Sequence, residues 1–472
     1  MDQPSQLYRF LRGIVRTIVK LFYRDVTVEG TEHVPLDRGG LLVAWHPNGL
    51  IDPALILSSF PGQVVFGARD GLLRWPIVGP MMRGLGTVPI YRAVDQEGMS
   101  VEERRAANAK SLGALATEIA TGSYSALFPE GVSHDNPHLS EVRSGAARLY
   151  LQALDATTEG PPPAIVPVGL HYQDKDVFRT DVLIEYHAPL DLDAFDLEAE
   201  DTRIDELTEA IEAALTDTVH PTDDWALHAL MHRARTLLTA EAAARRGERP
   251  ELETVASRAE GFGQIWDGYQ VRRETHPDEI AALRSDLEAY DAGLRTMGMD
   301  DADLDRPPLV GSPGRVAAAV LQAALIAALL PPLFVLGAVV NVPPYWLLKL
   351  VAKKVAKTEK DTATVKLFGG LTFFPIAWIT AGVLAAHGVN VMAGVEMPRA
   401  PWAVGILVTV LSAFGGAAVL LFTEVFQATW KAVRVRVARW RQGGRISGLQ
   451  YQRAALHDRF MALARGLGLE DE

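Results

Sequence analysis

The apolar positions of this chain change period several times along its length. From Leu7 to Phe22, LYRFLRGIVRTIVKLF, the basic residues Arg9, Arg12, Arg16 and Lys20 recur at spacings of three and four, while Phe10, Leu11, Ile14, Ile18 and Leu21 occupy another face. That is the pattern of an amphipathic helix. Charges run right through it, so it is neither a secretory signal nor a spanning helix. Two settings suit it: packing on its own domain with a solvated basic face, or lying in the headgroup layer of an anionic membrane, which the all-basic polar face favours. From Val26 to about Leu190 short β-rich runs alternate with helix-like stretches: VTVEG, GLLVAW, QVVFGA, GTVPIYR, YSALFPEG, AIVPVGLHY and VLIEYHAPL. Several are continuously apolar, as strands buried on both faces are, and they predict an α/β domain over residues 25–194 with a mainly parallel central sheet.

Residues 195–310 are polar, acidic and helical in pattern, with helix starts near Thr202, Thr222 and Pro277. They read as a bundle or spacer, with a lid or partner surface as the alternative. Three apolar segments follow, Val316–Val340, Leu367–Ala386 and Val404–Phe422, of 25, 20 and 19 residues. Each is long enough to cross roughly 30 Å of hydrocarbon. Lys349, Lys353, Lys354, Lys357, Lys360 and Lys366 fill the first connection, and Lys431, Arg434, Arg436, Arg439 and Arg441 follow the last segment. The positive-inside rule assigns both to the cytoplasm. Three full crossings would then leave the α/β domain outside. A re-entrant hairpin over 316–340, hinged at Pro331-Pro332, removes the conflict. The expected order is therefore a basic interfacial helix (1–24), the α/β domain (25–194), an acidic helical region (195–310), membrane segments (311–425) and a basic cytoplasmic tail (426–472). The expected location is the cell (inner) membrane, with the α/β domain on its cytoplasmic face.

Composition agrees with a membrane setting, since 48% hydrophobic and 22% charged residues over 472 positions is more apolar than most soluble enzymes. The net charge of −12 is uneven: Pro313 onward holds 17 Lys+Arg against 8 Asp+Glu, which leaves 29 against 50 for residues 1–312. The acidic two-thirds lacks the basic footprint that phosphate-backbone binding needs, which excludes a nucleic-acid partner, while the basic third suits an anionic membrane surface. Arg outnumbers Lys 36 to 10, a bias that fits either a high-salt cytoplasm or a skewed genome. With no cysteine, disulfides, thiolate metal sites and cysteine nucleophiles are all excluded.

Candidate chemistry begins at AWHPNGLIDP, residues 44–53, directly after the apolar run GGLLV. An imidazole with an ordinary pKa of ~6.5 can take a proton from a hydroxyl near neutral pH when a carboxylate orients it and stabilises its cation. Six positions apart on a regular helix would be different faces, so pairing His46 with Asp52 requires the turn at Asn48-Gly49. A second turn follows the next strand in LFPEGVSHD, residues 127–135, where Glu130-Gly131 bring a carboxylate to the sheet edge. There it can bond substrate hydroxyls or orient a cation. Arg69, Arg74, Arg83 and Arg92 fall close together in an acidic domain, and guanidinium matches a phosphate group. Arg92, directly after GTVPIY, is the best placed.

The ordered stretches HPNGLID, GTVPIYR, FPEGVSHD and IVPVGL, covering roughly residues 30–190, resemble the PlsC-like phospholipid/glycerol acyltransferase family. The resemblance implies a catalytic dyad of His46 and Asp52, glycerol-phosphate binding by Arg92, acceptor binding by the block Phe128-Pro129-Glu130-Gly131, and an acyl-donor side lined by Val166-Pro167-Val168. Two departures stand out: five residues rather than four separate His46 from Asp52, and Val132-Ser133 stand where an arginine commonly follows the FPEG turn. Both look similar to the fungal glycerol-3-phosphate/dihydroxyacetone-phosphate acyltransferase branch, in which FPEG-x-SHD precedes a basic residue and a glycine, here Arg143 and Gly145. Asn48, Gly49 and Ser133, which share these turns, complete the expected substrate-binding set. The implied reaction moves an acyl group from acyl-CoA or acyl carrier protein to glycerol 3-phosphate. The alternatives are lysophosphatidate as acceptor, by the same chemistry, and a non-catalytic lipid carrier or scaffold. No metal or nucleotide cofactor is implied. A hydrolase would need a G-x-S-x-G elbow, which is absent, and SHDNPH, with His134, Asp135 and His138, lacks the H-E-x-x-H spacing of a metallohydrolase.

Overall fold

The computed structural model describes every residue except 1–3, 76–77, 92–99, 176, 194, 196–201, 249–253, 306–333, 355–358, 394–399, 442 and 466–472. The chain forms two compact units, the first built on residues 1–229 with 253–263 and 359–364, the second on 230–252, 264–358 and 365–472.

All seven runs of the first unit with strand-like pattern become strands: β1 (Asp25–Glu29), β2 (Gly40–Ala44), β3 (Val64–Arg69), β4 (Val88–Ile90), β5 (Tyr124–Leu127), β6 (Ala164–Tyr172) and β7 (Asp181–Tyr186). They make one sheet in the order β1-β7-β6-β2-β5-β3-β4. Every pairing is parallel except β6 with β7, so the sheet is mainly parallel with β1 and β7 reversed. β2 lies at its centre and is wholly buried, which is why GLLVA carries no polar alternation. Leu41 and Val43 share one core with helices α5 (Val101–Ala120), α6 (Gly145–Ala156) and α7 (Arg203–Val219).

Helix α7 corrects the expected boundary at residue 194. Its Leu207, Ile211 and Leu215 recur every four positions and are sealed in the core of the sheet, so this part of the acidic region belongs to the α/β domain. Its start at Arg203 after Thr202, and that of α10 (Pro277–Met297), fall where the sequence pattern puts them.

Helix α1 (Gln6–Phe22) ties two of its arginines to neighbouring carbonyls, Arg12 partly buried and Arg16 still exposed. Arg16 donates to Ser58 O at 2.8 Å, and Arg12 donates to Gly62 O at 3.2 Å and to Phe60 O. These carbonyls end helix α2 (Ile51–Ser59), where cations complement the unsatisfied oxygens. Tyr8, Val15, Val19 and Phe22 are buried, whereas Leu7, Phe10, Ile14 and Leu21 stand exposed. The apolar stripe, not the whole basic one, therefore faces outward.

In the second unit, residues of helices α8 (Trp225–Arg246), α10, α11 (Asp301–Leu304), α14 (Ala400–Arg441) and α15 (Gly443–Ala464) share one apolar core. Arg453, 1% exposed, reaches Glu241, Asp305 and the carbonyl of Asp301 there. The segment expected as a basic cytoplasmic tail packs into the helical region, because Ile446, Leu449 and Leu456 need cover. Among the described residues, three helices are long and apolar enough to cross a membrane: Phe334–Lys354, Thr364–Val391 and Pro401–Leu420. We label the first of them α12, and the second lies in α13 (Glu359–Ala393). Asn341 of α12 joins all three, donating to Ser412 O at 3.0 Å and accepting from Trp378 Nε1 at 2.8 Å. The expected segment 316–340 lies outside the described residues up to 333, Pro331-Pro332 included. Its described part is the start of α12, which runs on through Lys349 and Lys353.

Candidate active site

In the register of the sheet Val43 of β2 lies beside Leu127 of β5. His46 and Glu130 each come three residues later, so adjacent strands deliver both to the carboxyl edge, where open α/β sheets place ligands. His46 Nδ1 lies 2.8 Å from Asp52 Oδ2. The Asp52 side chain is 0% exposed and the His46 ring 18%. Asp52 opens α2, where the helix N-terminus favours its charge, and its Oδ2 also accepts the Asn48 N–H at 2.8 Å. Gly49, with φ +50°, supplies the left-handed residue that brings the two ends of the turn together. Asn48 Nδ2 donates to Lys175 O at 2.7 Å, anchoring this turn to the β6–β7 connection. The Phe128 ring stacks on His46 with centroids 4.0 Å apart and planes at 13°. With Nδ1–H directed to the carboxylate, Nε2 of the neutral ring is the available base.

Glu130 sits differently from the expected contact with substrate hydroxyls. It is 1% exposed, and both oxygens are engaged within the protein. Oε1 accepts the His46 N–H at 3.1 Å, while Oε2 accepts the Ser140 N–H at 2.8 Å and meets His134 Nε2. His134 N–H in turn donates to His46 O at 3.1 Å. The backbone of His46 is therefore gripped on both sides, and Glu130 is a positioning group.

Gly131 has φ +70°, and a Cβ there would meet the Arg143 side chain. Arg143 is exposed over this turn, its N–H bonded to Pro129 O at 3.0 Å, and no carboxylate pairs with it among the described residues. It lies two residues before α6, whose N-cap Ser144 makes no side-chain capping bond to the backbone. Ser133 is half-buried beside the same turn. Arg92 lies outside the described residues; Tyr91 before it is held by both its N–H and C=O to the Asn108 side chain, at 2.9 and 2.8 Å. Of the other arginines, Arg74 pairs with Asp70 and Arg83 caps Leu73 O at 2.6 Å. Arg69 ends β3 in an exposed position. Val166-Pro167-Val168 lie wholly buried in central β6 and line no open surface, a correction to their expected place on the acyl-donor side.

Sequence reasoning missed Tyr172, whose hydroxyl donates to Asp52 Oδ1. The signal was available: Val166, Val168, Leu170 and Tyr172 alternate along one strand, and β6 runs four residues beyond the Ala44–Val168 pair, up alongside the HPNG turn.

Residues 25–171 match the family model described as Acyltransferase. Glycerol-3-phosphate O-acyltransferase 2 of Saccharomyces cerevisiae is 40% identical over 67 residues, 14% of this chain and 9% of that protein. Glycerol-3-phosphate O-acyltransferase 1 of the same yeast is 22% identical over 280 residues, 55% of this chain and 35% of that protein. The chain thus spans about a third or less of the length of these relatives. The crystal structure of the 1-acyl-sn-glycerophosphate (LPA) acyltransferase PlsC from Thermotoga maritima aligns with 46% of this chain and 83% of its own, at 21% identity and TM-score 0.34.

Proposed function

We propose, from the premise that residues 25–171 are a PlsC-like acyltransferase domain, that the protein transfers a fatty acyl group from an acyl thioester to the sn-1 hydroxyl of glycerol 3-phosphate. The observation that carries this reading is the His46–Asp52 pair at the open edge of the sheet, with Arg143 over the neighbouring turn and no carboxylate paired with it among the described residues. His46 Nε2 takes the proton of the acceptor hydroxyl as its oxygen attacks the thioester carbon, and Asp52 steadies the imidazolium that forms. The tetrahedral intermediate collapses with loss of the thiolate, which takes the proton back from His46; acyl-CoA or acyl carrier protein supplies the thioester. No covalent enzyme intermediate is required. Arg143, Arg92 and the N-terminus of α6 receive the phosphate, and Gly49, Gly131 and Ser133 line the approach, while Asn48, expected in the substrate-binding set, is buried and holds the turn instead. The glycerol-3-phosphate acyltransferases among the relatives favour that acceptor over lysophosphatidate. Supplying labelled glycerol 3-phosphate, dihydroxyacetone phosphate and lysophosphatidate in parallel, with acyl-CoA, tests the choice. The first is expected to be consumed fastest; faster consumption of lysophosphatidate selects the sn-2 reaction, and consumption of none removes the enzyme reading.

Arg143→Ala is expected to raise KM for glycerol 3-phosphate about 10- to 100-fold with kcat within a few-fold, the loss of a charge-assisted hydrogen bond of about 1.5–3 kcal/mol. Steady-state kinetics check it.

The reading extends to the membrane. The exposed stripe Leu7, Phe10, Ile14 and Leu21, flanked by Arg9 and Lys20, suits a helix lying in an anionic interface. The core shared by α10, α11 and α15 supports a topology in which both ends of the membrane segments lie on one face of the bilayer, which calls for an even number of crossings. A hairpin hinged at Pro331-Pro332 satisfies that parity. It keeps the α/β domain, the Lys349–Lys354 end of α12 and the C-terminal helix together on the cytoplasmic face. Because the chain has no cysteine, single cysteines report cleanly. Positions Glu288 and Tyr451 are expected to react with an impermeant maleimide from the same side, and Phe10 only with a lipid-soluble one; opposite sides for Glu288 and Tyr451 would end this topology.

A further inference from the structure

Asp52 has two oxygens, and the dyad uses one. Oδ2 faces His46 and the Asn48 N–H, while Oδ1 accepts only the Tyr172 hydroxyl among the described residues. A carboxylate hydrogen-bonded on one oxygen alone can rotate about its Cβ–Cγ bond and exchange the oxygen it offers the imidazole. A donor on the second oxygen removes that freedom. We infer that Tyr172 is a positioning residue of the dyad, locking the plane of the Asp52 carboxylate so that Oδ2 stays directed at His46. The inference rests on the acyltransferase reading for its kinetic consequence, but not for its geometry.

The placement follows from the sheet. β6 pairs with β2 on one side and β7 on the other, so its carboxyl end cannot shift without breaking a central ladder. Tyr172 is still within the β6–β7 register, opposite Val182. Its hydroxyl is closed off from solvent, and burial, reinforced by the Asp52 charge, pushes its pKa well above the ordinary tyrosine value. It is therefore a permanent donor. Tyr23 gives an internal contrast. Its ring lies 6.3 Å from that of Tyr172, it is the more buried of the two residues, and its hydroxyl has no hydrogen-bond partner among the described residues.

The test uses the full-length protein in lipid vesicles. Tyr172→Phe is expected to lower kcat about 10- to 100-fold while KM for glycerol 3-phosphate stays within about twofold. Tyr23→Phe is expected to leave both within about twofold. 3-Fluorotyrosine at 172, which keeps the hydroxyl and the ring, is expected to hold kcat within about threefold of wild type and covers the case in which Tyr172→Phe does not fold. Retained kcat in Tyr172→Phe, or a raised KM with kcat kept, overturns the inference, as does a loss in the fluorotyrosine protein matching that of phenylalanine. A second readout needs no substrate: ethoxyformylation of His46 by diethyl pyrocarbonate, followed by mass spectrometry, is expected to be at least about threefold slower in Tyr172→Phe and unchanged in Tyr23→Phe. An unchanged rate in Tyr172→Phe overturns the inference. If the wild-type protein acylates no glycerol 3-phosphate, the functional reading fails while this second readout still decides the role of Tyr172.

Discussion

Replacing His46 with alanine is expected to slow acyl transfer by about 10²–10⁴-fold, the usual contribution of a positioned general base. The structure makes this the largest single effect because no other imidazole can take over. His134 is bound to Glu130 and its N–H to His46 O, which commits that residue to the architecture of the site. His171 lies within 3.4 Å of Glu185 on the β6–β7 ladder. The loss should fall on kcat, since the ring acts on a hydroxyl that other groups hold, and KM for glycerol 3-phosphate should stay within a few-fold. Stability should fall as well, because the buried Asp52 carboxylate loses its imidazole partner, so thermal unfolding is measured beside the kinetics. Purified variant protein assayed beside wild type for lysophosphatidate gives the answer. A variant with more than a tenth of wild-type kcat would remove His46 from the chemistry.

Glu130→Ala is the second large effect, and it discriminates between contact and support. Its carboxylate accepts from His46 N–H, Ser140 N–H and His134 at once. Deleting it strands buried donors and an unpaired imidazole, at a cost of about 3–5 kcal/mol. The His46 backbone loses one of its two anchors, so activity should fall about 10²-fold through misplacement of the ring. Thermal unfolding and kinetics together check both halves. A residue that touched the acceptor would raise its KM with stability unchanged; that pattern would return Glu130 to the substrate-binding set.

Much of the α/β domain was legible because a buried parallel sheet leaves a strong signature. GLLVA has no polar alternation, and neighbouring strands ending in HPNG and FPEG announce an edge with chemistry on it. The reversed pair β1 and β7 left no such trace, since direction depends on pairing and not on composition. Glu130 was misjudged because a carboxylate in a turn looks the same whether it faces solvent or backbone; only the three-residue offset shared with His46 settles it. Tyr172 stood 120 positions from Asp52 and was hidden for the same reason. Helix α1 misled in another way. Arg12 and Arg16 read as a solvated basic face, yet both also bond carbonyls at the end of another helix, which sequence spacing cannot see. Arg453 did so too, read as part of a basic tail and found buried among acids.

One measurement bears on all of this at once: a structure of the full-length protein with glycerol 3-phosphate and a non-transferable acyl-CoA analogue bound. The sn-1 oxygen is expected within about 3.2 Å of His46 Nε2, with the phosphate against Arg143 and the amino end of α6. A glycerol hydroxyl remote from that nitrogen, or a phosphate held by cations elsewhere on the chain, would contradict the account.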